Sequence, residues 1–541
     1  MVQTLGTRIG GHVVAESLQA LGAEVVFGLP GIHALGIWEG LRGRDLRFVG
    51  LRTELNAGFA ADGYARTSGR PAPLLLSTGP GALNSLTALM EAASAHVPVV
   101  AIASQIPSDL VGRGRGFLHE LPDQLASFAP VVKWAARAES AAALPELLAE
   151  AWRRALTPPG GPVFLEVPVD VLTGEAGVAP VLELDGSPSP VALPPGERLD
   201  EAARLLAEAE RPVVWAGGGV ARSGAWDELR RLAERLRAPV VTTYMGKGVF
   251  PEDHELAAGS ACDEAAFQEL VGGADVLLCA GTELGAETTA QYGLELSGRV
   301  IQVDAAPERI GATYPALGLV GDARGVLGAL LERVPARAPD GRAEERAAAV
   351  RERVAGGLAG QGRELELGLL GTIRETLARD AVHTWDMTML AYWAAAFFPA
   401  LSPRRFLYPL GSGTLGYAWP AALGATLALG APALAVVGDG GFLYGVQELA
   451  AARQSGLAAK LLLVDDGGYG ILREYQTEAY GETFAVDLEQ PDFPALAHAF
   501  GVPVEPATPE TLGDALARAF AREGPAMIHL PVRLELWKPT A

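Results

Sequence analysis

A chain of 541 residues, 49% hydrophobic and 20% charged, is long enough for about three α/β units of ~150–200 residues with sizeable cores. Its formal charge of −21 argues against unassisted nucleic-acid binding but not against anionic substrates, because local charge decides a pocket. No uncharged apolar run approaches the ~18–20 residues of a membrane helix, and Met1 to Gly10 lacks the apolar stretch of a signal peptide, so a cytoplasmic protein is expected.

The first unit, 1–173, opens on FGLPGIHAL (Phe27–Leu35), an apolar run broken by glycines and carrying His33. RTELNAGFAADGYAR (Arg52–Arg66) follows, a helical pattern with Glu54 at its start. Apolar runs at Ala72–Leu76 and Pro98–Ser104 read as buried strands, with STGPGALNSLTAL (Ser77–Leu89) between them. GRGRGFLHELPDQ (Gly112–Gln124) then supplies His119, Glu120 and Gln124. A histidine, with an ordinary pKa near ~6.5, suits proton transfer; the plainer reading of each is a loop histidine. GPVFLEVPVDVL (Gly161–Leu172) closes the unit, and the Pro- and Gly-rich residues 174–197 form a linker.

The second unit, 198–334, alternates strands (Pro212–Ala216, Val276–Cys279, Val300–Val303) with helical patterns. Two glycine-rich loops, AGGGVARSG (Ala216–Gly224) and GTELGAETT (Gly281–Thr289), follow strands; such loops hold nucleotides, but glycine there is also routine turn chemistry. Cys262 and Cys279 have no ligand-like spacing and read as buried thiols. A charged, Ala-rich connection, 335–365, leads to the third unit, 366–541.

In the third unit GSGTLGYAWPAALGA (Gly411–Ala425) precedes a strand, Ala433–Val437, that ends in Gly-Asp-Gly. A helix and a second strand, Lys460–Val464, lead to Asp-Asp-Gly-Gly. A strand–helix–strand unit returns both strand ends to one edge of a parallel sheet, so Asp439 and Asp466 are expected side by side. Two oxygen ligands among glycines suit an octahedral Mg²⁺ holding a phosphate group. The fold expected from the alternation throughout is α/β, three doubly wound parallel sheets.

These segments, in this order, resemble the thiamin diphosphate (ThDP) enzymes, specifically the 2-oxo acid decarboxylase and acetolactate synthase family. The resemblance implies a pyrimidine-binding, a central and a diphosphate-binding domain. It gives Glu54 the role of the carboxylate that activates the coenzyme at the pyrimidine N1′. By the same likeness the Gly413 carbonyl accepts from the 4′-amino group, and Leu415 wedges between the coenzyme rings. Mg²⁺ falls to Asp439, Asp466 and the Gly468 carbonyl, and the diphosphate to a backbone cradle at Gly440, Gly441, Tyr469 and Gly470. The family usually has Asn where Asp465 and Asp466 stand, which adds negative charge beside a diphosphate.

Gln124 matches a glutamine near the thiazolium, and His33, His119 and Glu120 are further candidates for catalysis or substrate contact. The wording GRGFLHELPDQ is most similar to 5-guanidino-2-oxopentanoate (2-ketoarginine) decarboxylases. It is less similar to acetolactate synthases, which carry Gln and Trp where this chain reads GGYGILREYQ. The implied reaction is decarboxylation of a small 2-oxo acid through an enamine; carboligation of two 2-oxo acids and a weakly catalytic ThDP-binding protein are the alternatives. A guanidinium substrate would need an acidic partner, for which Glu474, Glu478 and Asp109 are candidates. FAD, found in some relatives, is not expected: GSAC (Gly259–Cys262) stands where they have GMHG, and an arginine-phenylalanine feature is missing. The resemblance also implies a homodimer or tetramer with each active site between subunits.

Overall fold

The short Val-, Leu- and Ile-rich runs become the strands of three six-stranded sheets in the computed structural model, which describes residues 7–540. Residues 1–6, part of the segment read as lacking a signal peptide, lie outside the described residues. Every strand pairing is parallel, which explains why the strands read as continuous apolar runs: helices cover both faces. In the N-terminal sheet the order is Arg47–Gly50, Val25–Gly28, Ala72–Leu76, Val99–Gln105, Val163–Pro168 and Trp134–Arg137. The C-terminal sheet repeats that order with Phe406–Leu407, His383–Trp385, Leu434–Gly438, Lys460–Asp465, Ala526–Pro531 and Val504–Pro506. The central sheet differs: Ala316–Val320, Arg299–Asp304, Val276–Ala280, Val213–Ala216, Val240–Thr242 and Ala257–Gly259.

The outer two sheets are locked together by two helices, Glu54–Ser68 and Ala418–Leu429. Small residues allow their backbones to touch. A Cβ on Gly63 would fall 2.2 Å from the Ala421 carbonyl oxygen, and one on Gly424 would fall 1.9 Å from that of Ala60. The ADGYA and ALGA wording is therefore a packing requirement. Beside this contact lies a buried polar network. Arg66 pairs with Asp62 and Glu91, each at 2.7 Å, and the Tyr417 hydroxyl donates to Asp62 at 2.7 Å. Because each charge has a partner, the network fixes one arrangement of the two helices.

The connection 335–365 holds the helix Arg342–Ala359, as its Ala-rich wording suggests, and residues 178–195 of the first linker are without regular structure. Cys262 and Cys279 are buried free thiols. Among the described residues no helix is long and apolar enough to cross a membrane.

Candidate active site

At the N-terminal sheet, residues far apart in sequence converge beyond the ends of the strands Val25–Gly28, Ala72–Leu76 and Val99–Gln105. Glu54 is the first residue of its helix, capped by Thr53, whose side chain accepts from the Asn56 N–H at 3.2 Å. Its carboxylate accepts from Asn84 Nδ2 at 3.2 Å and lies 3.1 Å from where a Cβ on Gly81 would be, so only glycine leaves it that room. His33 and His119 meet edge to face, ring centroids 5.1 Å apart, although 86 positions of chain separate them. Both Nδ1 atoms are buried without a hydrogen-bond partner. Burial, and then the neighbouring His119, pulls the His33 pKa down. Gln124 is fully buried: its Oε1 accepts from the Gly79 N–H at 2.9 Å, and its Nε2 donates to Ser104 O and Glu166 Oε2. The side chain is thus committed to holding the Gly79 turn. Glu120 folds back on its own loop, accepting from the N–H groups of Gly116 and Phe117 at 2.7 and 3.0 Å.

The second group gathers at the C-terminal sheet. Asp439 ends the strand Leu434–Gly438 and opens a short helical turn containing Gly440 and Gly441. It is 1% exposed, and burial, then the adjacent Asp466 carboxylate, pushes it up to about 6. Burial raises Asp466 as well, while Arg473 pulls against it from 3.6 Å. Asp465 pairs with His529 at 2.9 Å, so the first aspartate of the Asp465–Asp466 pair is drawn off by the neighbouring strand. Gly468 takes φ 153°, and a Cβ there would strike the Val486 carbonyl oxygen at 2.2 Å; its own carbonyl accepts from the Gly470 N–H at 3.2 Å. The Tyr469 ring fills the space beside Gly440. Across from this edge, Gly413 sits exposed at φ 66° with half-buried Leu415 two residues on.

Several residues that shape the site escape sequence reasoning. Asp386, fully buried after the strand His383–Trp385, accepts from the N–H groups of Met387, Gly416 and Ala418 at 2.9–3.1 Å. Burial pushes it up to about 6 despite those donors. It fixes the exit of the Gly411–Tyr417 loop, while Glu91 fixes its start by accepting from both Ser412 N–H and Oγ at 2.7 Å. Gln490 donates to Asp439, and Arg473 pairs with Asp487 at 2.7 Å. A carboxylate just after a parallel strand is the one signal that could have found Asp386, and it went unused.

Glu448, from the C-terminal unit, receives the Arg52 N–H on both oxygens at 3.0 Å and Asn56 Nδ2 at 3.0 Å. It thereby clamps the start of the helix bearing Glu54. Burial pushes Glu448 up to about 7 against those donors. The folded protein therefore holds this proton more tightly than the unfolded chain does. Well below its ordinary pKa the group contributes nothing; as pH rises through that value towards about 7 the folded state loses stability, by about 3 kcal/mol in all. Glu448→Gln is expected to flatten the fall in melting temperature between about pH 5 and pH 8 relative to the parent.

The two glycine-rich loops of the central unit border a separate cavity of ≈ 200 Å³ with His96, Arg222 and Arg404. No hydrogen bond or ion pair among the described residues joins Glu54, Gln124, His33 or His119 to Asp439, Asp466 or the Gly411–Gly416 loop.

Comparison with known proteins matches the chain in three segments. Residues 8–127 match the thiamine pyrophosphate enzyme N-terminal TPP binding domain, 199–330 the central domain, and 386–530 the C-terminal TPP binding domain. A protein of Pseudomonas aeruginosa described as a probable 2-ketoarginine decarboxylase is 39% identical, over 98% of this chain and 95% of its own. A probable acetolactate synthase large subunit of Methanocaldococcus jannaschii is 32% identical over 97% and 92%, and an acetolactate synthase of Mycobacterium bovis is 34% identical over 91% and 82%. With relatives matched almost end to end and both TPP-binding units in place, the chain belongs to the thiamine pyrophosphate enzymes.

Proposed function

We propose that the protein decarboxylates a small 2-oxo acid with thiamin diphosphate and Mg²⁺, with 5-guanidino-2-oxopentanoate as the candidate substrate. The observation that carries this reading is the near end-to-end similarity to a relative described as a 2-ketoarginine decarboxylase. It is supported by a fold that keeps Glu54 at a helix start and two sheltered aspartates at one sheet edge.

The residues fit both groups. Burial and the Asp466 carboxylate raise the proton affinity of Asp439, and burial raises that of Asp466, in a sheltered corner that a divalent cation would relieve; two carboxylates and a carbonyl leave room for phosphate oxygens in an octahedral shell. Asp439, Asp466 and the Gly468 carbonyl would hold Mg²⁺, and the backbone at Gly440, Gly441, Tyr469 and Gly470 would face the diphosphate. The Gly413 carbonyl and Leu415 would orient the coenzyme rings. When bound, thiamin diphosphate supplies a thiazolium that takes up the electron pair left by departing CO₂. Glu54 would hold a proton between its carboxylate and the pyrimidine N1′. His33 and His119, buried together, would deliver a proton to the product carbon, and Gln124 would act from behind by fixing the Gly79 turn.

One chain does not bring the two groups into bonding contact. Exposed apolar residues rim each of them: Ile32, Leu35 and Leu118 beside the first, Leu443 and Tyr444 beside the second. A second copy of the chain would cover these rims and complete the site, so the protein would work as a homodimer or a larger homo-oligomer.

Relatives described as acetolactate synthases favour a second reading, in which another 2-oxo acid traps the same carbanion equivalent in place of a proton. Incubation with ThDP, Mg²⁺ and a panel of 2-ketoarginine, pyruvate, benzoylformate and branched 2-oxo acids separates the two. The expected result is CO₂ with an aldehyde from one acid. A 2-hydroxy ketone from pyruvate would establish the carboligase, and tight ThDP binding without CO₂ from any acid would overturn both.

A further inference from the structure

The strand Val163–Pro168 is buried at every position, yet it carries a carboxylate: Glu166 is 0% exposed among Val163, Phe164, Leu165 and Val167. Phe164 and Glu166, two residues apart, share one face of the sheet. Gln124 and Phe128, four apart, share one face of the short helix Gln124–Phe128. The two elements therefore meet twice. The Phe128 and Phe164 rings stack with centroids 3.7 Å apart, and Gln124 Nε2 donates to Glu166 Oε2 at 3.0 Å. Taking a charge out of water is costly unless donors surround it, and three groups supply them here. Besides Gln124, Gln105 Nε2 donates to Glu166 Oε2 at 3.0 Å. Arg137, the register partner of Glu166 on the edge strand Trp134–Arg137, donates through Nε to Oε1. It is the one ion-pair partner of Glu166 among the described residues. Burial raises the Glu166 pKa, and Arg137, Gln124 and Gln105 pull against it.

This arrangement decides which way the Gln124 amide points. Its Nε2 end meets two acceptors, Glu166 Oε2 and Ser104 O, and its Oε1 end meets the Gly79 N–H. A flipped amide would set acceptor against acceptor twice and donor against donor once. Ser104 holds the preceding residue in the same layer: its Oγ accepts from the Thr78 N–H at 3.0 Å and bonds Thr78 Oγ1 at 2.8 Å. What this layer holds leads straight into the site. Gly79 adopts φ 63°, and a Cβ on it would fall 2.5 Å from the His119 carbonyl oxygen, so the His119 backbone rests on the turn. Gly79 is also the N-cap residue of the helix Pro80–Asn84. Gly81 of that helix leaves room for the Glu54 carboxylate, and Asn84 donates to it at 3.2 Å.

An ionised carboxylate only accepts, so Glu166 admits one orientation of Gln124; an amide in its place would offer a donor as well. We propose that Glu166, steadied by Arg137, is a positioning residue: it locks the Gln124 amide, and through it the Gly79 turn that sets His119 and Glu54. The inference deepens the decarboxylase reading, on which its turnover readout rests. It carries control of the site's geometry to the edge strand of the N-terminal sheet, away from every group that would touch substrate or coenzyme.

The test compares the parent with Glu166→Gln, Arg137→Met, the double variant and Gln105→Leu, all loaded with ThDP and Mg²⁺. In Glu166→Gln the amide oxygen stays with Arg137, so the new NH₂ confronts Gln124 and turns its amide. Turnover is CO₂ release from the 2-oxo acid on which the parent is fastest. Glu166→Gln is expected to lower kcat about tenfold to a hundredfold, the scale of a misplaced reacting group, with KM and ThDP affinity within about threefold. Arg137→Met should act in the same direction, and the double variant should be no slower than Glu166→Gln, because both act through one amide. Gln105→Leu is the control: it removes a buried hydrogen bond to the same carboxylate without a link to Gly79. It should keep kcat within about threefold, whatever it does to the melting temperature. Hydrogen–deuterium exchange over residues 77–84 needs no turnover; it should quicken at Thr78 and Gly79 in Glu166→Gln and not in Gln105→Leu. Equal kcat losses in those two variants, or a double variant slower by the product of the single losses, would overturn the relay. If no acid yields CO₂ while exchange at the turn still depends on Glu166, the decarboxylase reading falls and the relay stands. If exchange at the turn ignores Glu166→Gln, the relay falls even in an active enzyme. Should Glu166→Gln not fold, Arg137→Met at its half-buried edge position carries both readouts, and parent-like turnover and exchange in it would overturn the relay.

Discussion

Glu54→Gln protein is expected to bind thiamin diphosphate and to assemble as the parent does, yet to release CO₂ about a hundredfold to ten-thousandfold more slowly. The separation of effects follows from where Glu54 sits. Its helix is held by backbone-to-backbone contact at Gly63 and Gly424, by the Asp62–Arg66–Glu91 network and by the Glu448 clamp, none of which involves the Glu54 side chain. The one hydrogen bond to its carboxylate, from Asn84 Nδ2, can be kept by the glutamine oxygen. Gln lacks only the proton-holding capacity, so the loss should appear in kcat and not in the melting temperature or the cofactor affinity. Stopped-flow CO₂ release, calorimetric ThDP binding and sedimentation velocity on the same preparation check the three parts. Full turnover in this variant would remove Glu54 from the chemistry.

The parts of the fold legible in the sequence were those with local causes. Ala72–Leu76 and Lys460–Val464 read as strands because a sheet covered on both faces makes its strand interiors apolar. Asp439 and Asp466 stood out because glycines flank carboxylates at the ends of such strands. Strands with three residues at a sheet edge, such as Ala257–Gly259, have too little pattern to register. The supporting shell was hidden for a different reason. Glu448 begins an ordinary amphipathic helix, where a glutamate reads as solvated, and only the approach of Arg52 and Asn56 from another unit buries it. Glu91 looks like any helical glutamate until Arg66 and Ser412 close on it. His33 and His119 were each visible, but their contact depends on a loop that puts His119 at φ 68°, a backbone choice that no local pattern announces. Long-range packing, not propensity, therefore made the difference between a recognisable residue and a placed one.

Asp439→Ala should remove the dependence of cofactor retention on Mg²⁺. Losing a group behind a metal ligand commonly costs about 10–100-fold in metal affinity, so losing a ligand itself should cost about a hundredfold or more. The substitution leaves a small gap and no orphaned charge: Asp439 is 1% exposed and its carboxylate meets only the Gln490 amide and nearby backbone N–H groups. Taking away a carboxylate that Asp466 repels also removes an unfavourable contact, so the folded protein should not melt earlier. The neighbouring pair makes the control. Asp465 is tied to His529, so Asp465→Asn should leave Mg²⁺-dependent ThDP affinity near the parent value, within about threefold, as expected where only a hydrogen bond changes. Titrating ThDP with and without Mg²⁺ against the parent and both variants gives a clean contrast. Unaltered Mg²⁺ dependence in Asp439→Ala would exclude it as a ligand. Equal losses in both variants would mean that the turn geometry, and not one carboxylate, holds the metal. Loss confined to Asp439→Ala would show that Asp439 holds the metal while Asp465 serves the fold through His529.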